Sequence, residues 1–165
     1  MLACLDVDYR DEGAVAACVL FRDWADEHPA AERVERIARV EPYEPGQFYR
    51  RELPCLLAVL GTVAEGLEAV VIDGYVWLHD ETTPGLGGHL YEALGRAVPV
   101  VGVAKTCFLS ATAARPVLRG GSARPLYVTA VGVSADEAAS RVRDMHGPYR
   151  IPALLKRVDQ LCRGT

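Results

Sequence analysis

Two short apolar runs limit what this chain can fold into more than anything else in it. Ala69-Val70-Val71-Ile72 is rich in β-branched residues and closes on Asp73-Gly74, and Pro99–Val103 is a second such run with Gly102 inside it. Short apolar runs without alternation read as strands buried on both faces, the habit of sheets covered by helices on each side. The segment between them carries a helical pattern over Gly85–Leu94. Upstream, Gln47–Val63 places Phe48, Leu56, Leu57, Leu60 and Val63 on one helical face. Pro54 lies inside that pattern and is expected to kink the helix or weaken its first turns.

The remaining elements fit around this unit. Leu2–Val7 and Ala14–Phe21 flank a polar turn and read as a β-hairpin. Val34–Val40 reads as a third strand or, by its three-residue spacing, as helix. Residues 110–125, rich in Ala, Arg, Gly, Ser and Pro, read as a loop without a hairpin. Leu126–Val133 reads as a strand, Ser134 as the N-cap of a helix to about Met145, and Arg150–Cys162 as a further helix. A hairpin followed by alternating helix and strand implies an α/β fold, a mixed β-sheet with helices on both faces, in a single domain over residues 1–165.

Composition excludes several classes. With 50% apolar, 24% charged and 7% aromatic residues, the chain is not disordered, collagen-like or a coiled coil. No apolar run approaches the roughly 18 residues of a membrane span. The opening Met1–Asp6 has an acid and no basic region, unlike a signal peptide, so a cytoplasmic location is expected. Five cysteines, odd in number and without a C-x-x-C, suit neither a disulfide framework nor a zinc knuckle.

The net charge of −4 conceals a balance of −11 over residues 1–95 and +7 over residues 96–165. Two readings stand. The basic segment presents a polyanion-binding side, with Lys105, Arg115, Arg119 and Arg124 as candidates, or the charges mix in three dimensions into an ordinary solvated surface.

Several carboxylates stand where apolar residues are expected. Asp6 lies inside the first strand pattern, and Asp8 shares its face. Glu52 falls four residues after Phe48 and four before Leu56, within the apolar stripe of the helix. Asp73 closes the most hydrophobic strand. Each singly reads as a cap, a turn residue or a paired surface acid. Jointly, a strand acid, a sheet-facing helix acid and a strand-end acid can converge at one edge of the sheet and hold Mg²⁺ or Mn²⁺ through hard oxygen donors. Divalent ions so held most often serve phosphoryl transfer. Lys105, just beyond the second buried strand, could reach a phosphate there, and His79 lies six residues past Asp73 on the same rim.

Four blocks resemble the endonuclease V family. They are Leu5-Asp6-Val7-Asp8-Tyr9; Pro42-Tyr43-Glu44-Pro45-Gly46 with Arg51-Glu52-Leu53-Pro54; Val70-Val71-Ile72-Asp73-Gly74 with His79; and Gly87-Gly88-His89-Leu90 with Gly102-Val103-Ala104-Lys105. A weaker match follows at Pro125–Thr129 and Tyr149-Arg150-Ile151-Pro152. The resemblance implies a ribonuclease H-like fold and a Mg²⁺-dependent (or Mn²⁺-dependent) endonuclease, cutting DNA or RNA near a deaminated purine such as inosine. It implies Asp6, Glu52 and Asp73 as metal ligands, with Asp8 in a supporting or surface role, and Lys105 and His79 as catalytic residues. Tyr43, with Pro42, would be the wedge that fills the stack when a base flips out. Gly74, Val76 and Gly102 would line the base pocket, and Arg119 and Arg124 the backbone path.

The chain also departs from the family pattern. Val76 stands where the family has a glycine and is expected to narrow the pocket, which would weaken inosine preference. His79-Asp80-Glu81 replaces His-Pro-Arg, and Val131-Gly132 replaces Gly-His, with Asp136 a candidate substitute. These departures leave two alternatives: a catalytically weak paralogue that binds nucleic acid, or a nuclease with another substrate.

Overall fold

A computed structural model describes residues 1–165. The opening hairpin pairs β1 (Leu2–Tyr9) with β2 (Ala14–Phe21) in antiparallel register, Leu2 opposite Phe21 and Tyr9 opposite Ala14. Its turn closes with Arg10 N donating to Gly13 O at 2.8 Å. A Cβ on Gly13 would fall 2.2 Å from the carbonyl oxygen of Ile37, so the close passage of the next strand requires glycine there. That strand, β3 (Ala31–Ile37), pairs with β2 at the sheet edge. Its alternating exposed charges settle the strand-or-helix ambiguity, because only one side of an edge strand meets the protein.

Helix α1 (Phe48–Leu60) leads to β4 (Ala69–Asp73), then α2 (Leu86–Ala93) to β5 (Val100–Ala104). β4 runs parallel to both β1 and β5, as each helical crossover requires. Pro54 does not break α1. Both Pro54 and Arg50, whose carbonyl loses its helical partner, are exposed, so water can serve that oxygen.

The segment read as a plain loop holds a short strand, β6 (Arg115–Val117), which forms a hairpin with β7 (Leu126–Val131). Three residues are too few to leave a periodic signature. Helix α3 (Ala135–Asp144) starts at Ser134, whose hydroxyl accepts from Glu137 N at 3.1 Å. Helix α4 (Ala153–Arg163) follows Pro152 and ends at Gly164.

The seven strands form one sheet in the order β3-β2-β1-β4-β5-β7-β6. Helices cover both faces. Leu2, Cys4, Val15, Val71 and Val101 pack with α3 and α4, whereas Ala3, Leu5, Ala16, Val70 and Ile72 pack with α1 and α2. Burial on both sides explains why these strands read as unbroken apolar runs. The last registered pair of β1 and β4 is Leu5 opposite Ile72. One residue further come Asp6, still within β1 where it pairs only with β2, and Asp73, the last residue of β4.

Candidate active site

At that strand end lies a cavity of about 390 Å³ whose walls include Asp6, Glu52, Asp73, Asp159, Lys105 and Phe48. Asp6 arrives on β1, Glu52 from the second turn of α1, Asp73 at the tip of β4 and Asp159 from α4. Lys105 follows β5. Asp6 and Glu52 are only 9% and 6% exposed. Asp6 Oδ1 accepts from Val7 N at 2.9 Å, and Asp73 Oδ2 accepts from Lys105 Nζ at 2.8 Å. Glu52 Oε2 is buried without any hydrogen-bond partner. A buried, unpartnered carboxylate oxygen is costly and calls for a cation or a proton.

The titration behaviour fits that need. Burial, then the charge of Asp73, lifts the Asp6 carboxyl to about 6. Burial, then Asp6 and Asp73, lifts Glu52 to about 8. Burial presses Lys105 downward, but the hydrogen bond and charge of Asp73 outweigh it and hold the ammonium above its ordinary value. The cavity therefore holds more carboxyl groups than Lys105 and Arg163 can pair, and the excess favours protons or a bound cation. Its donor set is wholly oxygen, which suits a hard divalent ion. No three His, Cys, Asp or Glu side chains stand close enough together to ligate one ion as the chain lies here, with Asp73 turned to Lys105.

Other expected residues distribute unevenly. Gly74 lines the cavity at φ +128°. Gly102 serves it from behind: a Cβ there would fall 2.5 Å from Gly74 O. Pro42 and Tyr43 stand exposed on the turn before α1. His79 is not on the cavity wall; it is exposed, its ring 5.9 Å from that of Phe108, which packs in turn near Tyr75.

Val76 contradicts its expected role. Its side chain is fully buried against Gly87 and Ile72, and its N–H donates to Thr129 Oγ1 at 2.8 Å, so its methyls belong to the core and narrow no open pocket. Arg119 is likewise no phosphate ligand. It is buried, and its guanidinium donates to the carbonyls of Arg143, Met145, Gly147, Tyr149 and Arg150. Arg115 is held by Asp136 at 2.8 Å, on the wall of a different cavity, which also removes Asp136 from the acid cluster. Asp8 pairs with Arg10 at 2.8 Å. Arg124 remains exposed.

Asp159 was not anticipated. It follows the core residue Val158 and lies four past Leu155, but four residues on is Arg163, so the two-sided apolar setting that singled out Glu52 is only half present. Its carboxylate pairs with Arg163 at 2.9 Å.

Residues 1–142 match the family model described as Endonuclease V. The chain belongs to the endonuclease V family. An endonuclease V of Streptomyces avermitilis is 32% identical over 96% of this chain and 77% of its own length. One of Streptomyces coelicolor is 31% identical over 98% and 77%. The crystal structure of the S. avermitilis protein superposes with a TM-score of 0.78 at 31% identity, covering 99% of this chain and 79% of that one. A Ciona intestinalis endonuclease V, in complex with a DNA 23-mer containing an inosine followed by a ribo-adenosine, gives a TM-score of 0.84 at 18% identity over 99% and 83%. The mixed sheet is thus the ribonuclease H-like fold of endonuclease V, a family of nucleases.

Proposed function

We propose that this endonuclease V family member hydrolyses a phosphodiester near a deaminated purine in DNA or RNA, with Mg²⁺ or Mn²⁺ as its cofactor. The carrying observation is the one cavity lined by Asp6, Glu52 and Asp73 beside Lys105, with one buried carboxylate oxygen unpartnered. Asp6, Glu52 and Asp73 would hold the ion, which supplies an activated water and stabilises the leaving oxygen. Lys105 contributes a fixed positive charge at the phosphate; its pairing with Asp73 orients the ammonium toward the cavity. Gly74, without a side chain, leaves the approach to Asp73 open. Tyr43 is exposed, as an inserted wedge would have to be, and His79, off the cavity wall, would reach substrate only outside the acid cavity.

The relatives support this reading by what they are called and, for the Ciona protein, by the inosine-containing DNA in its complex. The test is cleavage of matched oligonucleotides, with and without inosine, as DNA and as RNA, in Mg²⁺, in Mn²⁺ and with chelator. Metal-dependent cutting that favours the inosine strands is expected. No cleavage of any strand in either metal would overturn it, and equal cutting of all strands would keep the nuclease but change the substrate.

A further inference from the structure

A second cavity, about 280 Å³, opens beside the first and shares Lys105 and Asp159 with it. Its outer wall is Tyr149, 67% exposed, with Lys156 Nζ 6.0 Å from the ring centre. Large aromatics left in water are usually mobile or incidental. Here the backbone beneath the ring is immobilised. Arg119 Nη1 donates to Tyr149 O at 2.9 Å and to Arg150 O at 3.2 Å. Gly120 packs so closely that a Cβ on it would fall 2.4 Å from the Tyr149 carbonyl carbon. Arg150 in turn donates to the carbonyls of Lys105, Arg124 and Pro125, tying the groove to the candidate active site. An exposed ring on a rigid base loses little entropy when something stacks on it.

The charges around the ring point to a polyanion. Lys156, on the groove wall, is exposed and forms no ion pair. Asp159, the one carboxylate on this wall, is taken up by Arg163. A π-face, a free cation and continuity with a phosphodiester site suit an unpaired nucleotide. We infer that this groove is a nucleotide subsite, in which Tyr149 stacks a base of the strand leaving the acid cavity and Lys156 meets its phosphate. The inference rests on the nuclease reading. It concerns residues beyond the 1–142 family match.

The test uses fluorescence anisotropy of a labelled single-stranded oligonucleotide with chelator present, so nothing is cut. Tyr149→Ala should weaken binding on the order of tenfold while Tyr149→Phe stays near wild type. Lys156→Gln should lower the log–log salt slope by about 1. A scan of single abasic positions should reveal one base whose removal costs the wild type affinity and costs Tyr149→Ala nothing. Melting curves check that the variants fold. If the wild type cleaves but Tyr149→Ala binds every oligonucleotide as the wild type does, the subsite is wrong and the nuclease reading stands. If the wild type neither binds nor cleaves, both fall.

Discussion

Glu52 shows what a single misplaced acid costs and provides. Its carboxyl, lifted by burial and by Asp6 and Asp73, favours the neutral form in the folded chain. Raised carboxyls stabilise the fold fully below their unfolded values, and that stability is lost as pH rises through the folded ones, about 6 for Asp6 and about 8 for Glu52. In chelator, the melting temperature should therefore fall as pH is raised from about 4 to about 9, and Glu52→Gln should flatten the fall. Thermal melts across that range check it; identical profiles for both proteins would contradict the charge-crowded cavity. Asp73→Asn should lose divalent-ion affinity by calorimetry with the fold intact, because Asp73 is half exposed and closes no core contact. Val76 teaches the opposite lesson. A family motif places a residue along the chain but does not say which way its side chain turns. Val76→Gly removes a fully buried side chain and should cost about 2–4 kcal/mol by denaturant titration rather than sharpen base choice.

At the scale of elements, what was legible followed from burial. β4 and β5 announced themselves because both faces are covered, and α1 because one face is. β6 gave no signal in its three residues, and its pairing with β7 is decided by the neighbour rather than by itself. The acids on β1, α1 and β4 were legible as exceptions to those same patterns, whereas Asp159 on α4, with Leu155 before it and Arg163 after it, reads as an edge position. Arg119 was not. An arginine in a loop reads as surface charge, and only the structure shows five carbonyls converging on it. Arg119→Ala would strand several of them without donors, so a stability loss of about 3 kcal/mol is expected. Arg119→Lys should rescue little, because an ammonium cannot reproduce the fork. The salt slope of nucleic-acid binding should not change. Gly102→Ala acts between elements, pushing Gly74 O away from β5 and moving Asp73 with it; lowered ion affinity by calorimetry is the expected readout.

Over the whole molecule, the positive excess of residues 96–165 is largely consumed inside the fold. Arg157 reaches Glu32 at 2.6 Å, Lys105 takes Asp73 and Arg96 takes Glu92, all acids from outside the segment, and Arg119 and Arg150 bind carbonyls. A charge sum along the chain cannot distinguish a binding face from internal fastening, and of the cations lining the two cavities only Lys156 stands without an acid or carbonyl partner. The packing of α4 has its own consequence. This helix covers Leu2, Cys4, Val15 and Ala17 of the opening hairpin, and Arg10 donates to the carbonyls of Cys162 and Arg163. During synthesis the hairpin emerges long before α4 does, so one side of the growing sheet waits bare, inviting aggregation, while Asp6 and Asp73 lack the wall that carries Asp159. The order of translation thus leaves this cavity open on one side until α4 has docked.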